Sequence, residues 1–211
     1  LYDIILAQVQ GYIPFNKLSV YFDEIITHYM KYFVQSQEKV ITQEFGIDWQ
    51  SWVENTRWAV VALGKYGGRE LGYGSDLEII FVYEYSEEWR DRPAEIWYKI
   101  VRHLVKTKHI VAHKMFEIDL RLRPHGKSGP LATSLRQFKS YYAINGSAHS
   151  FERQALIKGR VVAQREWSTK PSTALKEQID EARRNFCFAF EPLPLSDIRQ
   201  LHEQQIQESH R

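Results

Sequence analysis

Asp76 and Glu78 stand one residue apart, at the start of the apolar run Ile79 to Tyr83. At positions i and i+2 of a strand, two side chains point to the same face. Two like charges held side by side repel, and an ordinary strand gains nothing from them. Bound divalent cations remove the repulsion, and phosphate transfer is the commonest reason to hold such cations. A third acid, Asp119, lies in the run Met115 to Pro124, which alternates as a strand does. On that pattern Glu117, Asp119, Arg121 and Arg123 share one face. Asp76, Glu78 and Asp119 are therefore the candidate metal ligands and catalytic carboxylates. Mg²⁺, or Mn²⁺ in its place, prefers a few carboxylates plus water and substrate oxygens. Such an ion neutralises triphosphate oxygens and lowers the pKa of an attacking hydroxyl. The plain alternative is a set of solvated charges at a strand edge.

The segment before the acid pair is rich in glycine. Gly64, Gly67, Gly68, Gly72 and Gly74 are five of the chain's 11 glycines. They separate the apolar run Trp58 to Leu63 from the acid-led run. Glycine permits close backbone approach, so successive N–H groups can cradle phosphate. Gly64, Gly67, Gly68 and Gly74 are candidates for that role, and the Ser75 hydroxyl can join them. No Gly-Lys-Ser/Thr ends the loop, so it is not a Walker A sequence. A strand rather than a helix follows, so it is not the dinucleotide fingerprint. A long turn between strands also favours glycine. Lys65, Arg121, Arg123 and Lys158 complete the nucleotide-binding candidates, and arginine forks match phosphate oxygens in pairs. Structural ion pairing with the acids is the competing role for the arginines. Arg69, Lys127 and Arg160 are further cations near these motifs. The histidines show no ligand spacing with cysteines or acids.

The elements that must position these residues fall into three zones. Residues 1–57 read as a helical segment, in which Leu18, Tyr21, Phe22, Ile25, Ile26, Tyr29, Met30 and Phe33 follow helical spacing. Residues 58–165 read as the catalytic domain. Up to about residue 124 it runs strand, glycine loop, strand, helix, strand, the helix spanning Pro93 to Lys106. From residue 125 onward the reading returns to helix, with Thr133 or Ser134 as a cap and a further helix from Ser150 to Arg160. Residues 166–211 read as a C-terminal helical segment, two helices split at Glu191 to Pro194, the truncated start of a further helical domain. The fold class expected is α+β.

The chain has 211 residues, enough to bury a real core, with 44% apolar and 14% aromatic content. Lys+Arg number 28 against Asp+Glu 26, a net charge of +2, which disfavours a general nucleic-acid binder. No window approaches about 18 consecutive apolar residues, so no membrane span is expected. The start Leu1-Tyr2-Asp3 lacks an export pattern, and the lone Cys187 excludes an internal disulfide, which together suit a reducing cytoplasm. A first residue other than Met, and ends inside helix-like sequence, read as a piece of a longer polypeptide.

Four stretches resemble the bacterial glutamine synthetase adenylyltransferases, bifunctional enzymes with two related nucleotidyltransferase halves. They are Ala62 to Glu78, Phe116 to Pro124, Ser128-Gly129-Pro130-Leu131 and Phe151 to Arg160, in the family's order. The resemblance implies a polymerase-beta-like nucleotidyltransferase fold, a small mixed sheet flanked by N- and C-terminal helices. It implies Asp76, Glu78 and Asp119 as metal carboxylates and ATP as substrate. The implied reaction moves AMP between ATP and a tyrosine of glutamine synthetase, by adenylylation or by phosphorolytic deadenylylation, in the regulation of nitrogen assimilation. A PII-type signalling protein is an implied partner. The sequence departs from the family where Glu78 stands in place of the usual Asp, which is shorter by one methylene. Gly72 to Asp76 resembles the adenylylating half, whereas Ser128 to Leu131 and Phe151 to Arg153 resemble the deadenylylating half. The alternative function is a degenerate nucleotide-binding regulatory or interaction module without turnover.

Overall fold

The computed structural model describes residues 2–89, 93–106, 116–168 and 173–188. The polar connection through Arg92, the start of the third run at Met115 and the second terminal helix lie outside the described residues. Helix α1 (Tyr2–Val9) precedes the long helix α2 (Phe15–Glu44) and the short helix α3 (Trp49–Asn55). In α2 the stripe predicted from spacing buries Leu18, Phe22, Ile26 and Met30, then extends to Val34 and Ile41. Asp48 caps α3 by accepting from the Ser51 N–H at 2.8 Å.

Strand β1 (Thr56–Ala62) is buried along its whole length, and strand β2 (Asp76–Tyr85) follows the glycine segment. The first residues of that segment form a single helical turn, α4 (Gly64–Gly67), where the sequence suggested only a loop. Helix α5 spans Pro93–Lys106, as its apolar stripe predicts. Strand β3 (Glu117–Asp119), strand β4 (Ala132–Ser134), helix α6 (Leu135–Tyr141), helix α7 (Ser150–Ile157), strand β5 (Arg160–Arg165) and helix α8 (Leu175–Phe188) complete the order. Ser134 caps α6 in a reciprocal box with Gln137.

The sheet is small and mixed, and the chain is α+β. Its order is β3-β2-β1-β5, with β1 antiparallel to both β2 and β5. Both β3 and β4 run parallel to β2, one after the other along the edge away from β1. Trp58, Val60, Ala62, Ile79, Phe81 and Tyr83 face α2, α3 and α5. Ala59, Val61, Leu63, Ile80 and Val82 face α6, α7 and α8. Both faces are therefore covered, which is why β1 from Trp58 onward reads as an unbroken apolar run. The core crosses the expected boundary at residue 57, since Trp52 and the α2 stripe pack with Trp58 and Phe81. Arg57, fully buried, donates to Glu84, to Glu166 and to the Thr173 carbonyl, which ties the segment before α8 to the sheet.

Three sequence expectations change. The segment after residue 125 is not all helix, because it contributes β4 and β5. The helix from Ser150 ends at Ile157, and Arg160, expected at its end, begins β5. The third strand stops at Asp119, and the chain turns at Leu120. Arg121 and Arg123 therefore leave the strand face that they were expected to share with Asp119. Among the described residues no helix is long and apolar enough to cross a membrane.

Candidate functional site

The parallel register places Asp76 opposite Glu117, Leu77 opposite Ile118 and Glu78 opposite Asp119. Leu77 and Ile118 point into the core, so the acids on either side of them point away from it. Glu78 and Asp119 thus stand side by side with Asp76 two residues along, all on one face. The two inner carboxyls differ in their electrostatics. Burial pushes the Glu78 carboxyl up, and the charges of Asp119 and Asp76 push it further, against weaker help from Arg121 and Lys65. Burial also acts upward on Asp119. There the hydrogen bonds and charge of Arg121, with the charge of Arg123, prevail and hold it below the usual carboxylate range.

Arg121 caps Asp119. Its backbone N–H donates to Asp119 Oδ1 at 2.8 Å, its Nε to Oδ2 at 2.8 Å, and its Nη2 reaches Oδ2 at 2.7 Å. Arg123 goes elsewhere. It is buried and donates to the carbonyls of Leu120 (2.8 Å), Gly129 (3.1 Å) and Lys127 (3.1 Å), which folds the 120–129 loop around its guanidinium.

The glycine segment packs tightly on the acids. Gly64 has φ +50°, and a Cβ there would lie 1.6 Å from Glu78 Oε2. The carboxylate of the longer acid therefore lies against the first residue of α4, in space only glycine leaves. A Cβ on Gly67 would lie 2.4 Å from the Lys158 carbonyl, so that glycine lets α4 pack against the end of α7. Gly68 adjoins the exposed ion pair of Lys158 with Glu70, 2.7 Å. Gly74 turns the chain just before Ser75, whose buried Oγ accepts from the Gly72 N–H at 2.9 Å. Lys65 is exposed on α4, and its charge reaches Glu78.

Two residues that sequence reasoning did not place in the site hold this turn. Arg160 donates to the carbonyls of Gly67 (3.0 Å) and Tyr66 (3.1 Å) and to Asp23 of α2. Asp23 is buried and also pairs with Arg69 at 3.6 Å. The available signal was an acid next to Phe22 inside the apolar stripe of α2.

Hard oxygen donors with surplus negative charge suit a divalent cation such as Mg²⁺ or Mn²⁺. Among the described residues no group of three acids, histidines or cysteines stands at metal-binding spacing. Asp76, Glu78 and Asp119 match such an ion in donor type and charge but not in spacing, and Arg121 occupies both oxygens of Asp119.

Gly64 gives a direct test of this packing. Gly64→Ala strains a positive φ and pushes aside the Glu78 carboxylate, the end of a flexible side chain, so a loss of about 1 kcal/mol, mostly from the backbone, is expected. Adding Glu78→Asp withdraws the carboxylate and should recover part of it. Denaturant unfolding of the single and double variants measures both, and a double variant that recovers nothing would refute the contact.

Fold and site define an α+β domain with three clustered carboxylates beside a tightly packed glycine turn. Over residues 1–174 the chain matches the GlnE family, glutamate-ammonia ligase adenylyltransferase, and it belongs to that family. Proteins named bifunctional glutamine synthetase adenylyltransferase/adenylyl-removing enzyme are similar to it. The one from Burkholderia mallei is 36% identical over 162 residues, 72% of this chain and 17% of that protein. The one from Chromobacterium violaceum is 43% identical over 112 residues, 52% of this chain and 12% of that protein. The one from Shewanella oneidensis is 31% identical over 172 residues, 75% of this chain and 18% of that protein. The chain spans less than a fifth of the length of these relatives.

Proposed function

We propose that this chain is a nucleotidyltransferase unit of polymerase-beta-like fold that moves AMP between ATP and a tyrosine of glutamine synthetase. The observation that carries the reading is the register of β2 with β3, which aligns Glu78 with Asp119 and adds Asp76 on the same face. Asp76, Glu78 and Asp119 would hold Mg²⁺ or Mn²⁺, with Asp119 available once Arg121 moves. A cation bound there neutralises phosphate oxygens and lowers the pKa of the attacking hydroxyl.

The chain's own residues supply the rest. Lys65 offers an exposed cation beside the acids for phosphate. Lys158 can turn to phosphate as well, because an exposed ion pair such as that with Glu70 contributes little. Arg121 presents a fork suited to paired phosphate oxygens. Arg123 serves by shaping the 120–129 loop. Asp119, kept ionised, is the carboxylate that would steer the proton of the incoming hydroxyl. The nucleophile comes from the substrate, so no side chain of this chain need form a covalent bond. The names of the relatives support glutamine synthetase as the partner.

The test uses the full-length protein that contains this chain. In one arm it is incubated with glutamine synthetase, α-labelled ATP and Mg²⁺. In the other it is incubated with labelled, adenylylated synthetase and inorganic phosphate. Label gained in the first arm, or released as ADP in the second, supports the reading and fixes the direction. Neither outcome, with both proteins folded, overturns it.

A further inference from the structure

We propose that Arg121 is a built-in counter-cation for Asp119, which a divalent cation must displace and which nucleotide phosphate draws away. The proposal rests on the reading of Asp76, Glu78 and Asp119 as cation ligands.

The geometry argues for displacement. Arg121 engages both oxygens of Asp119, through its backbone N–H on Oδ1 and through Nε and Nη2 on Oδ2. A metal ion ligates a carboxylate oxygen at about 2.0–2.1 Å. At that distance it would stand within a few ångströms of the guanidinium on the same oxygen, and two cations so placed repel. The backbone contact can persist, because it fixes the carboxylate without adding a unit charge. The side-chain contacts cannot both persist beside the ion.

The surroundings argue that the fork can move. The Arg121 side chain is 66% exposed and sits on a turn just past the end of β3. The Asp119 side chain is only 11% exposed, so it is the arginine end that has room to swing out. Arg123, two residues on, is buried, and three carbonyls hold it, so it has no comparable freedom. Arg121 also lies in the field of all three acids, since Asp119, Asp76 and Glu78 each favour its charge. It is thus a cation held within the cluster by charge and by contacts with Asp119 alone among those described for its side chain.

A coupling follows. A triphosphate carries oxygens that match the guanidinium fork better than one carboxylate oxygen does. Nucleotide that draws Arg121 away uncovers Asp119 and favours the metal ion. A metal ion that displaces Arg121 frees the fork for nucleotide. By linkage the two ligands strengthen each other by the same factor.

The experiment measures Mn²⁺ binding by electron paramagnetic resonance on the intact protein, with and without a non-hydrolysable ATP analogue. Parent, Asp76→Asn, Arg121→Ala, Arg121→Met, Asp119→Asn and the double variant Asp119→Asn with Arg121→Met are compared, and melting curves establish that each is folded. Without nucleotide, removal of the guanidinium should tighten Mn²⁺ binding about two- to fivefold. The strengthening by nucleotide should shrink in those variants. On the Asp119→Asn background, Arg121→Met should bring no further gain. Arg121→Met keeps part of the aliphatic stem and stands in if the alanine variant fails to fold. If Arg121 only orders the loop, its removal leaves Mn²⁺ affinity unchanged or weaker, and that result overturns the proposal. Mn²⁺ that binds the parent and is lost in Asp76→Asn, yet is indifferent to Arg121, sinks this inference alone. No Mn²⁺ binding in any variant, with or without nucleotide, removes the cation site and this inference together.

Discussion

On the proposed function, Asp76→Asn is expected to abolish AMP transfer while leaving the melting temperature at or near that of the parent. Asp76 opens β2 with its side chain exposed, so the core does not depend on it. Its ladder partner is Glu117, and backbone pairing survives the substitution. An amide of nearly the same size removes a unit of charge from the acid cluster. In the ion-free protein the loss is small, because the Asp76 charge, which favours Arg121, is also one of the pressures on Glu78. In the proposed transfer it would be a large loss, since charge developing on phosphate is offset by groups fixed in place beforehand. Removal of one such group typically lowers the rate about 100- to 1,000-fold. The measurement pairs label transfer to glutamine synthetase with thermal melting of the same preparation. A stable variant with near-parental transfer would remove Asp76 from the ligand set. An unstable one would place it in the framework instead.

What the sequence revealed, and what it hid, follows from how far apart the interacting residues lie. The strands carrying Val60 and Phe81 were legible because both faces of the sheet are covered, which produces apolar runs too dense for an exposed strand. Helix α5 was legible because one face alone is buried, giving Ile96, Trp97, Ile100, Val101 and Leu104 helical spacing. Strand β4 was missed because three residues, Ala132 to Ser134, are too short to show a period. Strand β5 was missed because Arg160 to Arg165 is only partly buried apart from Ala163, so its side chains do not alternate between apolar and polar. Continued alternation after Asp119 suggested two more strand positions. The backbone turns there instead, because the Asp119 carboxylate accepts the Arg121 N–H two residues on. The acid cluster was visible as spacing within β2, whereas the pairing of Glu78 with Asp119 needed the fold. Arg160 could not be matched to Asp23 from the sequence, since 137 positions separate them.

The same separation hides the contact expected to matter most for stability. Glu38 of α2 is wholly buried, and its carboxylate accepts from Trp52 Nε1 at 2.9 Å and Trp58 Nε1 at 2.7 Å. Arg165 of β5 completes the set, with Nη2 on Glu38 Oε1 at 2.7 Å. Arg165 in turn donates to the Thr56 carbonyl at 2.7 Å and to Thr56 Oγ1 at 2.8 Å. One carboxylate thus joins α2, α3, β1 and β5. Glu38→Ala would leave a largely buried guanidinium without its counter-ion and two indole N–H groups without acceptors. Breaking such a pair costs about 3–5 kcal/mol, a large share of the stability of an ordinary domain. Glu38→Gln should cost less, because it keeps the volume and one carbonyl acceptor. Replacing Glu38 and Arg165 together with Met should recover part of the alanine loss, since it leaves no lone buried charge. Urea unfolding of the three variants checks the order: alanine worst, the others milder. The site should respond too, because α2 also carries Asp23, which holds Arg160 on the carbonyls of the glycine turn. An alanine variant that loses less than about 1 kcal/mol would mean that apolar packing alone seats α2, the Glu38 network being incidental to it.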